Sequence, residues 1–153
     1  MAGSMRYRDC SPEVEALASR VIGAAMEVHT CLGPGLLEGL YEDALCVELA
    51  AMGLPFQRQV EAVAEYKGVP LRSQRLDVVV NSNIVVELKA VERVQDVHKA
   101  QLLSYLRMTN LPLGLLINFN TTHLRDGLSR ILNERALSSS SSPSRPSRST
   151  NPS

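Results

Sequence analysis

Residues 74–90 (QRLDVVVNSNIVVELKA) constrain the fold more tightly than any other stretch of the chain. β-branched residues flank the turn-forming Asn81-Ser82-Asn83, which predicts a hairpin of two strands, 74–80 and 84–90. Strand side chains alternate between two faces. One face then holds Leu76, Val78, Val80, Ile84, Val86 and Leu88, all apolar, and is the core. Asp77, Val79, Val85, Glu87 and Lys89 are forced onto the other. If 81–83 is a three-residue loop, partners are equidistant from Ser82 and Asp77 faces Glu87, with Cβ atoms about 4.5–5.5 Å apart. A two-residue loop would shift that pairing. Facing carboxylates repel unless a cation lies between them or one is protonated. A hard divalent ion satisfies both, and Mg²⁺ or Mn²⁺ suits oxygen ligands of this kind. Lys89 points the same way and is placed to hold a water or a phosphoryl oxygen. The plain alternative is a solvated sheet face with a cross-strand Glu–Lys arrangement. Val79 and Val85 on the polar face argue instead for a partly covered cleft.

The flanking sequence supplies the layers. Ser11-Pro12 predicts a capped helix start, and Val14, Leu17, Val21, Ala25, Val28 and Leu32 keep a three-to-four spacing until Gly33-Pro34-Gly35. A second helix is expected from about Leu36 to Met52, ending at Gly53 and Pro55. Residues 56–66 read as a strand ending in the turn signal Lys67-Gly68, with 69–73 a short extension into the next strand. Helical spacing returns over 94–108, with Val97, Leu102, Leu103 and Leu106 for packing. His98, Gln101 and Tyr105 form one polar stripe on that helix. Such a stripe is often only a solvated face, but here it offers amide and hydroxyl groups in step with the hairpin. Leu113–Phe119 reads as a buried strand and 122–136 as a last helix. The order is α-α-β-β-β-α-β-α, an α/β layout of a small mixed sheet with helices on its faces.

With 153 residues the chain fits one domain: a flexible start over 1–10, a folded unit over 11–137, and a Ser/Pro/Arg tail over 138–153 too polar to fold. Sixteen basic residues balance sixteen acidic ones, which argues against a protein that simply coats DNA. Arg145 and Arg148 could touch phosphate, though an inert terminus is the simpler reading. Cys10, Cys31 and Cys46 lack CxxC spacing, and Cys31 and Cys46 fall in helical apolar patterns that suit small buried thiols. No stretch approaches the ~20 apolar residues of a membrane span, and no signal peptide is evident. A cytoplasmic, reduced protein without membrane association is expected, and a homo-oligomer is compatible with the sequence.

Gly35-Leu36-Leu37-Glu38-Gly39-Leu40-Tyr41 has the G-x-x-E-x-x-Y form for which the GxxExxY protein family is named. The match extends through His29, Leu32-Gly33-Pro34-Gly35, Arg58-Gln59-Val60, Arg75-Leu76-Asp77, Val86–Val91, His98, Gln101, Tyr105 and Leu115–Phe119, covering about residues 14–135. That family resembles the PD-(D/E)XK, or restriction-endonuclease-like, nuclease superfamily. The resemblance implies a restriction-endonuclease-like core and an activity on nucleic acid, whose type stays open. It implies Asp77, Glu87 and the backbone carbonyl of Leu88 as metal ligands for Mg²⁺ or Mn²⁺. Lys89 would assist the attacking water, Glu38 would be the acidic residue of an early helix, and Gln101 and Tyr105 match a Q-x-x-x-Y motif. Leu76 stands where the pattern usually has proline. Two functions follow as expectations: a metal-dependent phosphodiester hydrolase, or a non-catalytic nucleic-acid- or protein-binding regulatory module that retains the nuclease fold. The first would lose metal-dependent cleavage with Asp77, Glu87 or Lys89; the second would bind without cleaving.

Overall fold

A computed structural model describes residues 10–140, with side chains to 137, so the expectations for residues 1–9 and 141–153 lie outside the described residues. Helix α1 spans Pro12–Leu32; the Ser11 Oγ accepts from the Val14 N–H, and Pro12 occupies the first turn, where an N–H has no helical partner. It buries Val14, Leu17, Val21, Ala25 and Val28, while Leu32 at its end stays exposed. Gly33 ends the helix at φ 69°, and its N–H closes on the His29 carbonyl. Helix α2 spans Glu38–Ala51.

Strand β1 (Phe56–Ala62) stops short of the expected Tyr66. Glu65–Tyr66 (β2) and Val69–Pro70 (β3) form a separate two-stranded sheet instead. Lys67 and Gly68 join them at φ 53° and 81°, the left-handed pair that a tight hairpin turn requires. Then follow β4 (Gln74–Val80), β5 (Ile84–Lys89), α3 (Asp96–Thr109) and β6 (Leu113–Asn118). The main sheet runs β1-β4-β5-β6 and ends on β7 (Leu128–Leu132). Only β5 and β6 are parallel, and α3 makes the crossover between them.

The last strand corrects the expected final helix over 122–136. A 3-10 turn at Leu124–Gly127 leads into β7, and helix α4 occupies only Glu134–Ser140. Leu124, Leu128 and Ile131 have helical spacing, but the open edge of β6 offers 128–132 a full set of backbone partners. Tertiary pairing overrides a local period of this kind. Gly127 permits the turn: a Cβ there would collide with the Asn118 carbonyl oxygen.

Both faces of the sheet are covered. Val78, Val80, Ile84, Val86, Leu88, Leu113, Leu115 and Ile117 join the core beneath α1 and α2. Val79, Val85, Leu102, Leu106 and Leu116 form a second cluster beneath α3. Val79 and Val85 are therefore buried, not part of a wet face; each such side chain contributes about 1.5–3 kcal/mol by leaving water. Gly114 lets α3 sit close, because a Cβ there would lie 2.8 Å from Leu102 Cγ. Leu76, expected beside Val78, belongs to the α3 cluster instead. In β1 likewise, Phe56 packs on the first cluster but Val60 and Ala62 on the second. Two adjacent strands thus change faces together, between 58 and 60 and between 76 and 78. Among the cysteines, Cys10 and Cys46 are buried, whereas Cys31 is exposed beside Glu27, contrary to its apolar surroundings in sequence; all three are free thiols.

Gly127→Ala is expected to destabilise the fold by about 1–3 kcal/mol, since backbone cannot yield as a side chain can. Gly23→Ala, on an exposed face of α1 with open space around it, should instead stabilise by about 0.5–1 kcal/mol. Denaturant unfolding of both variants measures the contrast.

Candidate active site

The connection between α1 and α2 fixes one wall. Gly33 and Gly35 adopt φ of 69° and 101°, which turns the chain sharply between the helices. The Tyr41 hydroxyl then closes this loop, donating to the Gly33 carbonyl and accepting from the Leu36 N–H at 3.1 Å. Its buried ring stacks on Phe119, centroids 4.6 Å apart, and so ties the loop to the end of β6. His29 adds a second tie: its Nε2 lies 2.8 Å from the Thr121 carbonyl, and since a carbonyl only accepts, that nitrogen carries the proton. The G-x-x-E-x-x-Y spacing thereby sets Glu38 at the first residue of α2.

The hairpin register is the expected one. Val78 pairs with Val86, Val79 with Val85 and Val80 with Ile84, around the loop 81–83. Continued by one pair, it sets Asp77 against Glu87, and there the regular ladder ends. The Asp77 N–H donates to Glu87 Oε2 at 3.0 Å, and the Leu88 N–H donates to Asp77 Oδ2 at 2.9 Å. Carboxylates have taken over two backbone donors that a continuous sheet would pair with carbonyls.

Electrostatics follow from burial and proximity. Glu87 is only 9% exposed. Burial and the charge of Asp77 push its pKa up to about 8, against the pull of the Asp77 N–H and of Lys89. Burial raises Asp77 as well, with the Leu88 N–H opposing and the charge of Glu42 adding to the rise. The Glu87 carboxyl lowers Asp77 while the Asp77 carboxyl raises Glu87, which favours a proton on Glu87. Glu38 is raised by burial and then by Asp77, with Lys89 pulling the other way. Tyr105, on α3, is raised by burial and by the charges of Glu87 and Asp77. Asp77, Glu87 and Lys89 thus lie within electrostatic reach of one another, Glu38 within reach of Asp77 and Lys89, and Tyr105 within reach of Asp77 and Glu87.

Two predicted residues stand apart. Gln101 is exposed one turn before Tyr105, and among the described residues no side-chain hydrogen bond holds it. His98 is used locally: its Nδ1 accepts from the Gln95 N–H and completes a reciprocal cap at the start of α3.

Glu42, one turn after Glu38 on α2, is 8% exposed. Arg58 Nε donates to its Oε2 at 3.0 Å, and Gln59 Nε2 reaches both its oxygens at 3.1 and 3.3 Å. Arg58 also bridges to Asp43. A signal was available: Glu38 and Glu42 are four apart on one helix face, an arrangement that repels unless cations or donors confront it. Among the described residues, no group of three or more His, Cys, Asp and Glu side chains is arranged as a ready metal cage. The donor set nonetheless fits a hard cation. Two adjacent carboxylates are held protonation-prone by burial and mutual repulsion, and Mg²⁺ commonly takes only one or two carboxylates from protein.

A five-stranded mixed sheet with helices on both faces, opened at an Asp–Glu pair and followed by Lys89, has the form of a restriction-endonuclease-like core. A family model described as the PD-(D/E)XK nuclease superfamily matches residues 15–131, and the chain belongs to that superfamily. No curated protein and no solved structure matches it significantly. Among the described residues no helix is long and apolar enough to cross a membrane.

The raised carboxyls predict a pH-dependent stability. A group whose folded pKa lies above its unfolded value contributes fully below the unfolded value, and that contribution fades as pH rises through the folded one. For Glu87 the window runs from about 4.5 to about 8. In chelator, Glu87→Gln should therefore gain on the native protein as pH rises from 5 to 9, by on the order of 5 °C in Tm. Parallel melting curves across that range would show that Glu87 is not held as described.

Proposed function

We propose that the protein is a divalent-metal-dependent nuclease of the GxxExxY type, hydrolysing phosphodiester bonds in nucleic acid. The observation that carries this reading is the Asp77–Glu87 pair: a half-buried and a buried carboxyl side by side, each held by a backbone N–H where the regular pairing of β4 is interrupted. The G-x-x-E-x-x-Y spacing supports the finer placement within the superfamily, since each of its three named residues has a part in building the wall beside that pair.

Asp77, Glu87 and the Leu88 carbonyl would hold Mg²⁺ or Mn²⁺, with water and a substrate phosphate completing the shell. Such an ion, when bound, polarises a phosphoryl oxygen and lowers the pKa of its water. Lys89 places an ammonium beside the pair, where it stabilises negative charge developing on the phosphoryl group. Glu38, raised by its surroundings, is suited to hold and release a proton at the rim of the cleft. Tyr105 stays protonated well into the alkaline range and so keeps a donor for a phosphate oxygen. Gln101, exposed one turn earlier, offers an amide to the same strand of substrate.

One observation favours a second reading. The bonds that Asp77 and Glu87 accept from backbone amides also satisfy donors left open in the sheet, so the pair has a structural use in a protein that binds without cleaving. Cleavage of labelled single- and double-stranded DNA and RNA, titrated with Mg²⁺ and Mn²⁺, separates the two. Asp77→Ala and Glu87→Ala should fall to background, and Lys89→Ala should lose about 10²–10³-fold in rate. Equal cleavage by all three purified variants would refute the nuclease assignment. Binding with no cleavage in either metal would favour the non-catalytic module.

A further inference from the structure

We propose that Gln59 is a positioning residue: its left-handed backbone, gripped by Glu42, withdraws the partner of Asp77 in β1 and hands the Asp77 N–H to Glu87. The inference rests on the nuclease reading only in taking Asp77 and Glu87 as the metal-holding pair.

Antiparallel pairs alternate between those that exchange backbone hydrogen bonds and those that do not. The Asn81 N–H donates to the Pro55 carbonyl at 2.8 Å, which fixes the phase between β4 and β1. By that phase Val79/Gln57, Asp77/Gln59 and Arg75/Glu61 are the bonding pairs. The first and third are present in the register, as are Val78/Arg58 and Leu76/Val60, but Asp77/Gln59 is missing. Gln59 has φ 51°. The other non-glycine residues at positive φ (Lys67, Asn81, Ser82 and Asn110) sit in turns or at a helix end; among the described residues Gln59 alone lies inside a strand. A left-handed conformation is costly for a residue with a Cβ, so something must hold it.

Glu42 is what holds it. In a regular strand Arg58 and Gln59 would point to opposite faces. Here both reach the same buried carboxylate on α2, Arg58 through Nε and Gln59 through Nε2. The left-handed residue makes that shared grip geometrically available, and the grip stabilises the left-handed residue. The same local reversal explains why β1 and β4 change faces together at 59 and 77. With no carbonyl from Gln59, the Asp77 N–H takes Glu87 Oε2 and draws the two carboxyls together. Gln59 thus acts through the backbone of Asp77 and needs no contact with substrate.

Gln59→Gly accepts the left-handed backbone freely, whereas the β-branched side chain of Gln59→Val resists it and favours regular pairing. The Asp77 amide resonance is followed in ¹⁵N-labelled protein with and without Glu87→Gln, and Mn²⁺ alone is titrated by calorimetry. In the native and Gln59→Gly backgrounds, Glu87→Gln should move the Asp77 resonance; in Gln59→Val it should not. Mn²⁺ binding should weaken roughly 10–100-fold in Gln59→Val and stay within about threefold in Gln59→Gly. Should Gln59→Val not fold, Gln59→Ala is read in its place, with a loss in the same direction. A folded Gln59→Val whose Asp77 amide still answers to Glu87 overturns the proposal, as does a Gln59→Gly protein that loses as much as Gln59→Val. Native protein that binds no Mn²⁺ while the amide pattern holds would sink the nuclease reading and leave the positioning role standing.

Discussion

At Asp77 the central sheet trades backbone partners for carboxylates, and the surrounding architecture follows from that exchange. A sheet buried on both faces has no water to satisfy an opened ladder, so each released N–H must find an acceptor in the protein. Glu87 and Asp77 provide those acceptors for the N–H groups of Asp77 and Leu88. The arrangement is reciprocal: the backbone donors stabilise the charged forms, while burial and mutual repulsion oppose them. The outcome is a pair with a strong appetite for positive charge, fixed where the hairpin strands part.

Keeping such a pair in place requires a stiff frame, which the two apolar layers supply. Leu88 buries its side chain beneath α1 and α2 while its N–H holds Asp77, so a core residue and a site donor are one. On the opposite face Leu102 and Leu106 of α3 pack on Val79 and Val85, and Tyr105 on the same helix feels the charges of Glu87 and Asp77. Tyr41 links these demands on the α2 side, because its ring packs on Phe119 while its hydroxyl fixes the loop that sets Glu38. Local mobility in any of these elements would move a charged group by more than a metal or phosphate contact tolerates.

How much of this was readable in the sequence depends on whether each signal was local. The Asp77–Glu87 register was, because β-branched runs and the three residues 81–83 determine it without help from elsewhere. Tyr105 followed from helical spacing and Glu38 from the G-x-x-E-x-x-Y resemblance, and the helices α1, α2 and α3 from apolar period and caps. The face of Leu76 was not readable, since strict alternation assumes unbroken strand backbone and Gln59 breaks it on the neighbouring strand. Strand β7 was hidden for a similar reason: Leu128–Leu132 takes its conformation from β6, while Gly127, the one local clue, becomes meaningful only when Asn118 is seen against it. Glu42 was not legible as a site residue because its partners, Arg58 and Gln59, lie in a different element.

The charge inventory bears on how a polyanion would approach. Glu38, Glu42, Asp77 and Glu87 face Arg58 and Lys89, and Arg58 is already committed to Glu42 and Asp43. The chain as a whole is balanced, with sixteen charges of each sign, so net charge does not offset this negative centre. On the nuclease reading, a phosphate entering without a cation would meet repulsion and a single ammonium. The cation would reverse the local sign, at once relieving the buried carboxylates and attracting the phosphate. Metal and nucleic acid should therefore bind with positive linkage, each raising the affinity for the other by the same factor. On that reading, a site organised in this way ties substrate affinity to the presence of the metal.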